Sequence, residues 1–257
     1  TAAFATIVAG IVAQYGMNGL VLATIMAGLI LILMGLFRLG NLIKFIPYTI
    51  TTGFTAGIAV TILIGQIKDF LGLAIHSKEP LIETTSKLLA AFKAINTLNW
   101  QALLIGLISI AILIIWPRFF ARIPASLIAV IVGILCVKFL PLKVNTIGDL
   151  YQISRDLPSF HFPALSIRNI TAMLPIAFTI AILASIESLL SCVVSDSMIN
   201  GKHRSNMELI AQGAGNIASA LFGGIPATGA IARTAANVKN GGRTPISGMV
   251  HSLVLLL

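Results

Sequence analysis

Apolar residues occur in long unbroken blocks, with the charged residues gathered between them. Thr1–Phe37, Phe45–Ile67, Ala94–Pro117, Asn169–Ile186 and Leu209–Ala232 carry no charged side chain, and shorter apolar blocks cover Ile123–Val137 and Thr244–Leu257. A helix needs about 20 apolar residues to cross a bilayer, so the pattern predicts a polytopic helical protein with at least seven candidate spans. Thr1 to about Gln14 is too short to cross alone, and Tyr15-Gly16-Met17-Asn18-Gly19 reads as a turn, making the first segment half of a broken helix before a full span Leu20–Phe37. In Phe45–Ile67, Gly53, Gly57, Thr61 and Gly65 recur every four residues and predict a stripe against which a neighbouring backbone packs closely. Lys68–Asn99 is polar, with an amphipathic piece around Leu88–Ile95. Trp100 opens a span that ends at Trp116-Pro117-Arg118, its indoles placed as in an interfacial belt. Pro141–Arg168, with Pro158, Pro163 and mixed charges, reads as an extended extramembrane connection.

Composition supports this reading. Of 257 residues 57% are hydrophobic and 10% charged, against about 25% charged in soluble domains. The formal charge of +9 sits in short loops, which excludes the basic face of a nucleic-acid-binding protein. If Arg38/Lys44, Arg118/Arg122, Lys202/Arg204 and Lys239/Arg243 share one side, the positive-inside rule makes that side cytoplasmic. Cys136 and Cys192 lie in apolar runs without metal-site spacing and read as small buried hydrophobes. The chain lacks an initiator methionine and begins and ends in apolar sequence, so it reads as part of a longer polypeptide.

Two charged residues break the apolar pattern. Glu187 is the only charged side chain between Arg168 and Asp196, and about 15 residues (~22 Å of helix) separate it from Lys202. A carboxylate at that depth is costly and by default faces a cavity, with a protonated, hydrogen-bonded acid as the alternative. Ala184, Glu187, Ser188, Ser191 and Ser195 share one helical face. The second residue, Arg233, cannot shed its charge and calls for an ion pair or an anion. It follows "GGIPATG", where Gly223, Gly224, Pro226 and Gly229 break a helix and Thr228 is placed to cap a new one beginning Ala230-Ile231-Ala232-Arg233. A helix that starts inside a membrane aims free N–H groups and partial positive charge at its entrance. With a guanidinium one turn in, that entrance is a candidate anion site of the kind secondary transporters build from discontinuous helices.

The stretches "TAAF", "FIPYTITTGFTAGIAVTILIGQIKDFLGL", "SIESLL", "HRSNMELIAQGAGNIASALFGGIPATGAIARTAANV" and "NGGRTPISGMVHSLVLLL" resemble the SulP (sulfate permease) anion transporters, bacterial branch, over essentially the whole chain. The resemblance implies an all-α polytopic fold of fourteen segments in two inverted seven-segment repeats, divided into core and gate domains. This chain would then be a partial transmembrane domain, segments three to eleven, with residues 68–99 and 138–168 as extramembrane connections and without the cytoplasmic STAS domain. The third and tenth segments would be half-helices meeting at the substrate, with Thr1, Ala2, Ala3 and Phe4 at one and Ala227, Thr228, Gly229, Ala230, Ala232 and Arg233 at the other. Glu187 would occupy the family's acidic position for cation coupling, with Ser191 one turn on. Ala232 stands where animal relatives have serine, so one hydroxyl contact to the anion is missing.

By that resemblance the function is secondary active transport of a small anion by alternating access, sulfate first, with bicarbonate or a dicarboxylate as alternatives. It needs no cofactor; a proton, or sodium, would be the coupling ion. The protein would be multi-pass in the cell's inner (plasma) membrane, its partners the substrate and the lipid bilayer, and the full-length form a homodimer. An uncoupled anion channel could use the same residues. An enzyme is disfavoured: the sequence offers no Ser/His or Cys/His pair, metal cluster or phosphate loop, and His76, His161, His203 and His251 read as solvated or packed.

Overall fold

The structure, a computed structural model, describes residues 2–45, 48–75, 81, 83–120, 123–150, 158–163 and 166–256. Its helices are α1 (Ala2–Leu36), α2 (Tyr48–Phe70), α3 (Thr84–Lys93), α4 (Trp100–Phe119), α5 (Ala125–Phe139), α6 (Ile147–Leu150), α7 (Ile167–Ile199), α8 (Ser205–Leu221), α9 (Ile231–Lys239) and α10 (Pro245–Leu256). No strand occurs among the described residues. Three stretches are long and apolar enough to cross a membrane, Ile7–Leu36, Trp100–Phe119 and Ile167–Ile199, and Ala125–Phe139 and Pro245–Leu255 are shorter apolar helices. The chain divides into two compact units, residues 1–56 with 157–257, and residues 57–156.

In the first unit α1 packs along α7 and α8. The predicted break in α1 is a single residue, Gly16, at φ 69°, ψ −178°, a conformation open to glycine because it has no Cβ. Leu20, Ala23, Ala27 and Leu31 of α1 meet Met173, Ala177, Ile180, Ala181 and Ala184 of α7 and Leu209 of α8 in one buried cluster. Alanines dominate because lipid is as apolar as leucine; what holds membrane helices together is close approach, and small side chains permit it. The closest approach is between backbones: a Cβ on Gly213 would lie 2.5 Å from the Gly28 carbonyl oxygen, and one on Gly28 would lie 2.7 Å from that of Gly213.

Among the described residues, nothing lies within 4 Å of a Cβ built on Gly53, Gly57 or Gly65 of the α2 glycine stripe; helical period selects a face but does not supply a neighbour.

The 33-residue α7 outruns its uncharged block by more than three turns. It tolerates Pro175 and stops where Asn200 turns left-handed at φ 55°, letting Gly201 N–H reach the Asp196 carbonyl at 3.0 Å. The block Leu209–Ala232 is not one helix. α8 ends at Leu221, and residues 224–230 have no regular structure before α9 begins.

In the second unit α4 packs on α5. Asn99 caps α4, accepting from the N–H groups of Gln101 (3.0 Å) and Ala102 (3.4 Å), and donates to the Lys143 carbonyl at 2.6 Å, which ties the segment after α5 to the start of α4. The expected extramembrane stretch 141–168 is mostly irregular where described, with α6 inside it. There the hydroxyl and N–H of Thr146 both donate to Asp149 and hold its carboxyl below the usual value.

Candidate anion site at the entrance to helix α9

The site forms where three helices of the first unit meet the irregular segment before α9. Gly223 turns the chain out of α8 at φ 74°, and the segment then runs back along α7 and α8. Asn216, 1% exposed on α8, grips Ala227 at both backbone groups, Nδ2 donating to its carbonyl at 3.0 Å and Oδ1 accepting its N–H at 2.7 Å. Gln212, one turn earlier, donates to the same carbonyl. From α7, Ser188 Oγ accepts the Gly229 N–H at 3.0 Å and lies 3.1 Å from Thr228 Oγ1, and Thr228 Oγ1 donates to the Ala184 carbonyl at 3.2 Å. Ser191 Oγ is 2.7 Å from Thr234 Oγ1 of α9. Position 229 must be glycine for this contact, since a Cβ there would lie 2.9 Å from Ser188 Cα and 3.1 Å from Ser191 Cβ.

These bonds correct the expected role of Thr228. The N-cap of α9 is Ala230, at φ −117°, ψ 102°, and no side chain caps it. Thr228 lies two residues too early, and its hydroxyl is engaged with α7 instead. The first intrahelical bond of α9 is Thr234 N–H to the Ala230 carbonyl at 2.8 Å, leaving the first-turn N–H groups available to an anion. Arg233 is exposed in that first turn and forms no ion pair among the described residues.

Glu187 is 2% exposed, and Ser188 and Ser191 of its stripe are 1% and 4% exposed. A cavity of about 230 Å³ runs beside this stripe, lined by Ser188, Ser191, Cys192, Ser195, Gly229 and Thr234, and farther along by Asp196, His203 and Glu208. Cys192, read as a core hydrophobe, thus faces a polar space.

The two halves of the expected site fare differently. The structure brings Ser188 and Ser191, neighbours of Glu187, against Thr228, Gly229 and Thr234. Thr1 lies outside the described residues, and Ala2 and Ala3 are described only as the backbone start of α1. Phe4 is 2% exposed inside the apolar cluster. Both α1 and α9 pack on α7, but no described contact joins Phe4 to the α9 entrance. Sequence reasoning missed the Asn216 clamp; its one sequence signal is Gln212 and Asn216, two carboxamides four residues apart on one face of a helix otherwise rich in small residues. It read His203 as solvated or packed without naming its partners, and the imidazole bonds to Asp196 and Ser205.

The pattern of the Sulfate permease family matches residues 1–257. This chain belongs to that family. It is 44% identical over 259 residues to the "Putative sulfate transporter YvdB" of Bacillus subtilis, covering 100% of this chain and 48% of that one. To the "Bicarbonate transporter BicA" of Synechocystis it is 35% identical over 257 residues, covering 98% of this chain and 44% of that one. Among solved structures, the transmembrane domain of a cyanobacterial bicarbonate transporter BicA superposes with a TM-score of 0.79 at 33% identity, covering 98% of this chain and 64% of that one. SLC26A9 shares the fold, with a TM-score of 0.70 at 22% identity over 94% of this chain and 39% of that one. The fold is therefore the inverted-repeat fold of these membrane proteins, and the chain spans about half the length of the curated relatives it matches.

Proposed function

We propose that the parent protein is a secondary active transporter of a small oxyanion, sulfate first, coupled to protons through Glu187. The observation that carries this reading is the uncapped start of α9, held on α7 and α8 by Ser188, Ser191 and Asn216, with Arg233 in its first turn. Its N–H groups bind the anion, Ala227, Thr228, Gly229, Ala230 and Ala232 shape the approach, and Arg233 supplies positive potential. The start of α1, Thr1 to Phe4, faces α9 across the substrate. Glu187 takes a proton as the anion binds, and Ser191 ties its stripe to α9 through Thr234.

The first unit, which contains both α1 and α9, acts as the core and moves past a gate to give alternating access. The chain supplies segments three to eleven of fourteen, with 68–99 and 138–168 outside the bilayer. The full-length protein is a multi-pass homodimer of the inner (plasma) membrane. Bicarbonate or a dicarboxylate, sodium in place of the proton, and an uncoupled channel are the rival outcomes.

The test is radiolabelled sulfate uptake by the full-length parent in proteoliposomes under a proton gradient, a sodium gradient or neither, for wild type and Glu187→Gln. Proton-driven accumulation lost in the variant supports the reading. Flux that only equilibrates, indifferent to both gradients and to the variant, refutes coupling and identifies a channel. A protein that moves bicarbonate or a dicarboxylate but not sulfate corrects the substrate.

A further inference from the structure

The turn between α7 and α8 holds three linked polar side chains that the anion site does not use. Asp196 Oδ2 accepts from His203 Nδ1 at 2.7 Å and from the His203 N–H at 2.9 Å, and Ser205 Oγ lies 2.8 Å from His203 Nε2. The left-handed Asn200 and the Gly201 N–H bond to the Asp196 carbonyl fold the loop back so that the imidazole returns to the helix it has just left. The imidazole and carboxylate are 18% and 23% exposed, so the pair touches water.

That pair also lines the cavity that continues past Ser195 and Ser191 to the α9 entrance. Glu187 lies nine residues from Asp196, about 13 Å of helix, and Ser191 and Ser195 mark successive turns between them. One polar passage therefore joins the water face at the α7–α8 turn to the neighbours of the buried carboxylate. Among the described residues, other titratable groups around His203 are few. Glu208 of α8 and Cys192 of α7 line the cavity, and Lys202 and Arg204 flank the imidazole in sequence and are exposed. From α9 the lining residue is Thr234, with Arg233 outside the lining. Helix α1 carries no charged residue, and the turn Leu39–Phe45, which also packs there, has no titratable group among its described side chains.

We infer that Asp196 and His203 form the proton-exchange pair through which the coupling proton passes between the α7–α8 water face and Glu187. The inference rests on the proton-coupled reading above. Asp196 fixes the Nδ1–H, which leaves Nε2 as the exchanging atom. A proton leaving the Glu187 carboxyl breaks an O–H bond there. Each water or serine hydroxyl on the way takes one proton as it gives one up, and an N–H bond forms at Nε2. The Asp196 carboxylate stabilises the imidazolium, Ser205 turns from donor to acceptor, and Nε2 then releases the proton to bulk water, restoring the neutral ring.

The experiment compares two fluxes of the full-length parent in proteoliposomes for wild type, His203→Gln, Asp196→Asn and Ser205→Ala. One is net sulfate uptake driven by a proton gradient; the other is sulfate–sulfate exchange at equal pH on both sides, which returns the loaded carrier without releasing its proton. In His203→Gln and Asp196→Asn net uptake falls about tenfold or more, while exchange is retained and so reports a folded protein. Ser205→Ala, which keeps acid and imidazole, gives a smaller fall in net uptake and carries the test if the other two fail to fold. Net uptake and exchange falling together, or net uptake staying at the wild-type rate in all three variants, overturns the relay. A wild type indifferent to the proton gradient overturns the coupled reading and the relay together, whereas proton-driven uptake lost in Glu187→Gln but intact in His203→Gln overturns the relay alone.

Discussion

Removing the Asn216 carboxamide tests whether the α9 entrance is held for binding or only for folding. Asn216→Ala deletes two hydrogen bonds to Ala227, at 3.0 and 2.7 Å, made by a side chain that is 1% exposed. Each is worth about 1 kcal/mol net. The Ala227 carbonyl keeps the Gln212 amide, whereas its N–H loses the partner described here. The loss is therefore about 1.5–2 kcal/mol, felt by the segment that carries Thr228 and Gly229 into α9. If that segment must be in place before the anion binds, the cost appears as a roughly tenfold to thirtyfold rise in KM. The maximal rate changes by about twofold or less, because the clamp belongs to the ground state as well as to the moving core. Asn216→Asp keeps the acceptor for Ala227 N–H but sets a carboxylate oxygen against the carbonyl, so it is worse than alanine. The assay is uptake of the transported anion against concentration, with thermal melting of the same preparations in detergent. A lowered melting temperature with an unchanged KM would refute the reasoning and reduce the clamp to scaffolding.

Substitutions at three further positions probe packing and charge. Gly213→Ala drives a Cβ to 2.5 Å from the Gly28 carbonyl and costs about 1–3 kcal/mol, read as a lower melting temperature. Gly57→Ala, with nothing within 4 Å among the described residues, loses no described contact and gains the alanine's helix preference of up to about 1 kcal/mol; equal effects of the two would contradict the α1–α8 contact. Arg233→Gln weakens sulfate binding about tenfold or more, with Arg233→Lys partly restoring it, as measured by competition against labelled sulfate. Unchanged competition would remove the guanidinium from the site.

What could be read from the sequence followed what is local. Uncharged blocks located α4, α7 and the second part of α1, because hydrocarbon excludes charge within a span whatever the tertiary arrangement. The break at Gly16 was legible because glycine amid Tyr-Gly-Met-Asn-Gly is a local steric event. Glu187 and Arg233 stood out for the same reason. Long-range geometry was not legible. Asn216 is an ordinary helical carboxamide until the chain returns Ala227 to it eleven residues later, and the His203–Asp196 pair exists only because Asn200 and Gly201 reverse the chain between them. Thr228 has the chemistry of an N-cap, but the cap belongs to whichever residue stands where helical dihedrals begin, and that is Ala230. The α2 stripe likewise marks a face by its period of four without naming its neighbour.

The proposed site also explains why a dianion and a proton belong together. The groups that hold the α9 entrance are hydroxyls, carboxamides and backbone, all neutral. In the proposed arrangement the charge that meets the substrate is Arg233 together with the starts of α9 and α1, each start equivalent to about half a positive charge. Together they supply about two positive charges, which balance a dianion only when Glu187 is protonated. A monoanion balances the same site with Glu187 ionised. Charge balance matters most where water is excluded, so sulfate should be carried with the proton on and bicarbonate with it off. The uncharged amide of Glu187→Gln imitates the protonated acid. It should therefore keep sulfate exchange while making it independent of pH, and should lose bicarbonate flux in a parent that carries both. Retained bicarbonate flux in that variant would show that the carboxyl does not set the charge of the loaded site.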